Sequence, residues 1–516
     1  MADKREIEQL ILANKSTYGN TVYLLGTSSF GATNEPVMIT SLAHLYSVFG
    51  LKGSLIDAYK TITKVSNNIK IYCCKVTGTH AGASFNVNVS GDSIEENALI
   101  FKSKCSNEVY NDILINVYPD MITFEFPGEL GNELISYKYE DYLTIGNLIR
   151  KINSDTDNGL NHVYVRTTVE ESTELLGALD SVNASSTYMY GATSGLTVSK
   201  NSMYQALKDT YELLDGKLVD IIIPLEAYID DINVEGSSYG VSEYGECSYA
   251  NGVDKLSGSD NGCIKSFYNI LLKFCARQLA SGIATLGVIG YNKTNDKYID
   301  ENIDKYVDNI YIQMLKLNQF DESLEIYRPL VSVVAGDLLS STTGEHFNGY
   351  AVYGAALGGI DLVSTPTNKP ISNSLFLYNE FNEEQLLRLG NNGIVAFRHS
   401  AVKDRVVVSS SVTSCDSSSE MCYVQNVRMI QFSVSCIYDI FEKYIGEDLN
   451  DLMKNNKLKD AIVSGLSVLR DSGMLSSYNV SVSRVNDHDV KLILELKTEY
   501  MVDFIKSICT VSSMEV

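Results

Sequence analysis

Short apolar runs punctuate this chain: Thr21-Val22-Tyr23-Leu24-Leu25-Gly26, Val219-Asp220-Ile221-Ile222-Ile223-Pro224, Leu286 to Gly290, and Leu330-Val331-Ser332-Val333-Val334-Ala335. They do not alternate as a strand with one wet face would, so they are predicted to be strands covered on both sides. Segments of helical period accompany them. Ser202 to Leu214 is one, Glu301 to Leu317 another, and a third places Ile264, Phe267, Leu271, Phe274 and Leu279 on one face. Helices interleaved with buried strands predict a mostly parallel sheet in an α/β core. Near the start, Thr40-Ser41 offers an N-cap for a helix carrying Leu42, Leu45, Tyr46 and Phe49 and ending near Gly50. A second helix, Ser54 to Val65, leads into the strand Ile69 to Val76.

Between about 80 and 168 the pattern changes. Phe85-Asn86-Val87-Asn88-Val89, Ile113 to Val117 and Met121 to Phe126 alternate, with turn pairs Gly91-Asp92, Pro119-Asp120 and Pro127-Gly128 between them. Close turns and period-two runs predict a small β-rich domain, interrupted by a helix Tyr142 to Asn153 and closed by the strand Val163 to Arg166. After a Gly/Ser/Asn/Asp-rich loop, Gly236 to Gly262, and the α/β segments above, the last stretch begins with Gly393 to Phe397 and the strand Arg405 to Ser410. Helices Asn426 to Tyr444 and Leu458 to Gly473 follow, flanking Leu449 to Leu452; then come strands Tyr478 to Val482 and Val490 to Leu496, and a tail Met501 to Val511. The expected organisation is an arm at 1–20, an α/β core at 21–79 and 169–395, a β-rich insertion at 80–168, and an α+β C-terminal domain at 396–516 with an extended terminal arm.

Known chemistry finds little support. Lys plus Arg is 41 and Asp plus Glu 64, a net charge of 41 − 64 = −23, which repels nucleic-acid phosphates; direct nucleic-acid binding is not expected. The start lacks a secretory pattern, and no run approaches the ~20 apolar residues that span a bilayer, so a soluble chain without membrane insertion is expected. A P-loop needs GxxxxGK[ST] to cradle phosphates, and Gly354-Ala355-Ala356-Leu357-Gly358-Gly359 lacks the lysine; it reads as close helix packing. The nucleophile elbow GxSxG and the HExxH metal motif are absent. Asn153 to Gly159 resembles half of a calcium loop, but its glycine is one place late and position twelve is Tyr164, so it reads as a helix-ending loop. The cysteines at 73, 74, 105, 247, 263, 275, 415, 422, 436 and 509 form no CxxC pair and read as reduced, packed thiols; the histidines at 44, 80, 162, 346, 399 and 488 show no ligand spacing. No catalytic residue, cofactor or metal is expected.

The order of segments is informative where single motifs are not. Val22-Tyr23-Leu24-Leu25-Gly26-Thr27-Ser28-Ser29-Phe30-Gly31, then Asn34-Glu35-Pro36-Val37-Met38-Ile39-Thr40-Ser41 and Phe49-Gly50, resembles the N-terminal signature of contractile-tail sheath proteins. Gly128-Glu129-Leu130-Gly131-Asn132 is similar to an element of the inserted β domain of larger phage sheaths. Met203 to Leu207 with Val219 to Pro224, the stretch Gly349 to Lys369, Glu383 to Ile394, and Val427-Arg428 at the head of a helix follow in the family's order. The resemblance covers essentially the whole chain. Two departures stand out: the chain has no tryptophan, and Val427-Arg428-Met429 replaces the family's double arginine.

The resemblance implies a structural, non-enzymatic sheath subunit of a virion tail, assembled in the host bacterial cytoplasm as stacked rings or a helical lattice around an inner tail tube protein. Baseplate and tail terminator proteins are the implied end partners. It implies strand exchange between subunits through Ser16, Tyr18 and Asn20 in the arm, and through Val490, Leu492, Leu494, Leu496, Val502, Ile505 and Ile508 near the other end. The tube-facing candidates are Glu442, Lys443, Glu447, Asp448, Asp451 and Lys454, and the β-rich insertion is expected to face outward. Alternatives are the sheath of a phage-derived bacteriocin or other contractile injection system, another virion structural protein, and an α/β enzyme without a recognisable site.

Overall fold

The computed structural model describes residues 18–86, 98–167, 185–229, 238–239, 249–250, 253–254, 267–291, 322–340, 346–371, 375–378, 380–415, 419–446, 456–484 and 490–498. The expected helix Glu301 to Leu317, the segment Leu449 to Leu452 and the tail Met501 to Val511 lie outside the described residues. Contacts divide the chain into two units, one of residues 1–24, 58–72 and 211–516, the other of residues 25–57 and 73–210.

In the first unit the central sheet runs Lys70–Lys75, Thr21–Gly26, Ile221–Pro224, Leu286–Tyr291, Val331–Val334, Ile394–Val395, and the unit boundary falls inside the first two of these strands. From Ile221–Pro224 onward every pairing is parallel, as the strand–helix alternation predicts. Every residue of Ile221–Pro224, Leu286–Tyr291 and Val331–Val334 is buried, which explains their largely apolar character; the Ser332 hydroxyl donates to the Val412 carbonyl at 3.0 Å. At roughly 1.5–3 kcal/mol for each fully buried Val, Leu or Ile side chain, these strands supply much of the drive for folding. Helices Phe267–Ala280 and Gly349–Gly358 cover the sheet. The glycines of the second allow the close approach read from the sequence. A Cβ at Gly354 would lie 2.3 Å from Ile223 Cδ1, and one at Gly358 3.0 Å from Val22 Cγ2.

The C-terminal part of this unit builds a second core. Helix Val424–Glu442 contributes Met429, Phe432, Cys436, Ile437 and Ile440, whose helical spacing forms one face. Helix Lys457–Asp471 adds Leu458, Ile462, Leu466 and Leu469. An antiparallel hairpin, Leu475–Arg484 with Val490–Thr498, closes the cluster by turning Tyr478, Val480, Leu492, Leu494 and Leu496 onto it.

The second unit holds the β-rich region. One antiparallel sheet runs Ser185–Tyr188, Leu114–Val117, Met121–Glu125, Leu134–Lys138; another runs Gly82–Asn86, Ala98–Ser103, Val163–Thr167. Phe101, Phe124, Tyr137, Ile149 and Val165 share its core, with Phe101 and Phe124 meeting edge-on at 5.9 Å. Two sequence boundaries move. The helix read over Tyr142 to Asn153 is Ile145–Asp157, because the Thr144 side chain accepts from Asn147 N–H and starts it there. The β-rich pairing also extends past 168: Ser185–Tyr188 pairs with Leu114–Val117, and Tyr190 and Thr193 bridge to Gly82 and Thr79.

Candidate functional site

The described part of the chain enters the first unit at Tyr18. Tyr18 is half-buried, donates its hydroxyl to the Ala284 carbonyl at 3.1 Å and sets its ring 5.1 Å from Phe432. One residue later the backbone turns: Gly19 has φ +83, and its N–H and that of Thr21 both donate to Asp220 Oδ2 at 3.0 Å. Asn20 closes the junction by accepting from Lys70 N–H at 2.8 Å. A side chain at Gly19 has nowhere to go, since a Cβ would lie 2.7 Å from Arg428 Nη2 and 3.3 Å from Leu362 Cδ2. Gly19→Ala is therefore expected to destabilise the first unit by about 1–3 kcal/mol, measured as faster amide exchange in Thr21–Gly26.

Behind this turn lies a buried polar group on helix Val424–Glu442. Arg428 is 2% exposed; its Nη2 reaches the Ile360 carbonyl at 3.5 Å, and Nη1 has no hydrogen-bond partner. Gln431, one turn along the same helix, donates to the Thr285 carbonyl at 2.8 Å. Burial pushes the Asp220 carboxyl above the usual carboxylate range, opposed by the Thr21 and Gly19 N–H groups and by Arg428. Burial likewise lowers the Arg428 guanidinium, with Tyr18 and Asp220 opposing.

At the other end, Val490, Leu492, Leu494 and Leu496 lie in the hairpin strand Val490–Thr498, paired within the chain to Leu475–Arg484. Their side chains pack half-buried on the C-terminal core, while Ile493 on the opposite face is 47% exposed. The hairpin is a sheet of these two strands alone among the described residues, so each strand presents one edge without a strand partner. Glu442 ends helix Val424–Glu442 and Lys443 caps it. Ser16, Val502, Ile505, Ile508, Glu447, Asp448, Asp451 and Lys454 lie outside the described residues. The structure thus gathers Tyr18 and Asn20 into one half-buried junction and places the hairpin residues in another element. Sequence reasoning overlooks Gly19 and Asp220 at this junction. The available signal is a carboxylate inside an otherwise apolar strand, because a polar residue at a core position is the informative exception.

The oxygen-rich segment Asn153 to Gly159 forms the last turn of helix Ile145–Asp157 together with Asn158 and Gly159 beyond it, a correction to the loop read from sequence. Asn153 bonds both backbone groups of Val165, Asp155 accepts from Lys151 and Tyr137, and Asp157 accepts from Tyr164, so protein donors already occupy these oxygens. Cys73, Cys74, Cys105, Cys275, Cys415, Cys422 and Cys436 are free thiols, all buried except the half-buried Cys415. Among the described residues no group of three His, Cys, Asp or Glu side chains comes together as a metal-ligand set. No described helix is long and apolar enough to cross a membrane.

No family model matches the chain, and no curated protein matches it. Solved structures do. The sheath tail protein of Listeria innocua superposes with a TM-score of 0.54 at 14% identity, over 96% of this chain and 96% of that one. The sheath tail protein of Desulfitobacterium hafniense gives 0.49 at 11% identity, over 93% and 97%. The helical sheath of the anti-feeding prophage in its contracted state gives 0.39 at 13% identity, over 64% and 78%. The chain has the multidomain α/β fold of a tail sheath protein.

Proposed function

We propose that this chain is the sheath subunit of a contractile phage tail, a structural protein that polymerises around an inner tube and contracts to drive that tube through the host envelope. The observation that carries the reading is the fold likeness to the Listeria sheath tail protein over 96% of both chains. Sheath subunits repeat by heterologous contacts, which build open helical arrays in place of closed dimers. The edges of the hairpin Leu475–Arg484/Val490–Thr498, without a strand partner among the described residues, suit strand addition from a neighbour, where main-chain bonds supply affinity with little demand on side chains. The Tyr18–Thr21 junction fixes the core side of the N-terminal arm, so residues from Tyr18 onward move with the core during contraction. The inner tube, a baseplate and a tail terminator are the expected partners, and the finished particle the expected location. The β-rich insertion favours a phage over a bacteriocin or other injection-system sheath, which is the second reading.

Electron microscopy of the purified chain at rising concentration tests this. Hollow striated tubes are expected, lost on deleting residues 1–17 or 499–516 while the truncated chains keep their secondary structure by circular dichroism. A monomer or small closed oligomer at every concentration would overturn the sheath reading; tubes that survive both truncations would overturn the strand-exchange mechanism alone. Tubes attached to DNA-filled capsids in producing cells separate the phage from the injection-system reading.

A further inference from the structure

The second unit carries an open sheet face that the sheath reading does not use. In the sheet Gly82–Asn86, Ala98–Ser103, Val163–Thr167, one face holds Ala83, Phe101 and Val165 and is buried. The other face presents Gly82, Lys102 and Tyr164 in one cross-strand row and Ser84, Ile100 and Arg166 in the next. Tyr190 extends the first row: its N–H and carbonyl exchange hydrogen bonds with Gly82 at 3.0 and 2.9 Å, and it is 70% exposed. Tyrosines thus stand at both ends of a row of paired strands, about 14 Å apart at ~4.8 Å per strand. Gly82 opens on a hollow of about 580 Å³ lined by Thr79, Ile100, Lys102, Tyr164 and Arg166, with Tyr190 beyond its rim. A Cβ at Gly82 would meet only the Phe101 carbonyl at 3.7 Å, so the hollow exists because no side chain fills it.

We infer that this face binds an anionic sugar, a short oligosaccharide carrying a carboxylate or phosphate. The lining is mainly apolar, which suits the C–H face of a pyranose ring against the Tyr164 ring. Lys102 and Arg166 are exposed on the same face and form no ion pair among the described residues, so both are available to an anion. They lie on adjacent strands one diagonal step apart, about 7–8 Å, within reach of one carboxylate-bearing ring and its neighbour. A nucleic acid is disfavoured, because two cations on a chain of net charge −23 do not offset a run of phosphates.

The test is calorimetric titration of the full chain with trigalacturonate, mannose 6-phosphate, neutral galactotriose and oligo-dT. Binding of trigalacturonate or mannose 6-phosphate with a Kd below about 1 mM, at least tenfold tighter than the neutral sugar, is expected; which anionic sugar wins distinguishes carboxylate from phosphate. Gly82→Phe should fill the hollow and abolish binding while leaving the thermal midpoint unchanged, since the site has open space and an ordinary φ. Lys102→Ser with Arg166→Ser should weaken binding at least tenfold without touching the hollow. Binding of neither anionic sugar, equal affinity for the neutral one, preference for oligo-dT, or retained affinity in a folded Gly82→Phe chain would each overturn the inference.

Discussion

Asp220→Leu is expected to destabilise the first unit by about 3–5 kcal/mol and to release the start of the ordered chain. Its carboxylate is the acceptor for two backbone donors, Gly19 N–H and Thr21 N–H, and the charge facing buried Arg428. Leucine strands both donors and removes the stronger of the two carboxylates, Asp220 and Asp361, that act on the guanidinium, and losing one member of a buried charged group is far costlier than never having built it. Asp220→Asn keeps an acceptor while removing the charge, and should fall between wild type and Asp220→Leu. The pH dependence separates the two effects. Burial raises the folded carboxyl above its unfolded value, so the folded state holds its proton to higher pH. This group's contribution to stability therefore falls as pH rises through the window between the unfolded and folded values, and Asp220→Asn should lack that fall. Amide exchange by mass spectrometry across Thr21–Gly26 and Ile221–Pro224 reads the unit locally, which matters because a chain with two units need not unfold in one step. Unchanged exchange in Asp220→Leu would show that the junction contributes nothing to holding the arm's root.

The same junction shows what a sequence conceals. The central strands are legible because burial on both faces forces continuous apolar runs, and Gly354 to Gly359 is legible because helix packing selects small residues. Tyr18 and Asn20 look like part of a free arm because no periodicity surrounds them. Their seating depends on partners such as Ala284 and Lys70, far along the chain. Ser185–Tyr188 escapes for a related reason: Ser-Ser-Thr-Tyr has no apolar alternation, and its place in the sheet is set by backbone bonds to Leu114–Val117. Asn153 to Asp157 looks like a loop because Asn and Asp favour turns, yet here their side chains bond Val165, Lys151, Tyr137 and Tyr164, so tertiary partners outweigh local preference. The terminal hairpin reads correctly as strands; its register against Leu475–Arg484 is not fixed by the alternation of one strand alone.

Lys75→Met should remove a pH dependence that belongs to the second unit alone. Lys75 is 0% exposed, and its Nζ donates to the Ser106 carbonyl at 2.7 Å. Burial lowers its ammonium to about 8, against the pull of Cys105 and Glu108. The unfolded chain holds the same proton up to about 10.4, so between those values the unfolded state binds more protons and stability rises with pH. Raising the pH from about 7.5 to 10 should stabilise the wild-type unit by about 2 kcal/mol relative to Lys75→Met, at 1.36 kcal/mol per pKa unit. Comparison with the variant cancels the titration of tyrosines and thiols elsewhere. At neutral pH the variant should be the more stable protein, because methionine fills a similar volume without desolvating a charge, although it forfeits the bond to Ser106. Amide exchange in Ala98–Ser103 and Met121–Glu125 at both pH values measures the difference. Parallel pH slopes in the two proteins would mean that the folded interior leaves this ammonium's proton affinity where the unfolded chain has it, and that Lys75 costs the unit nothing.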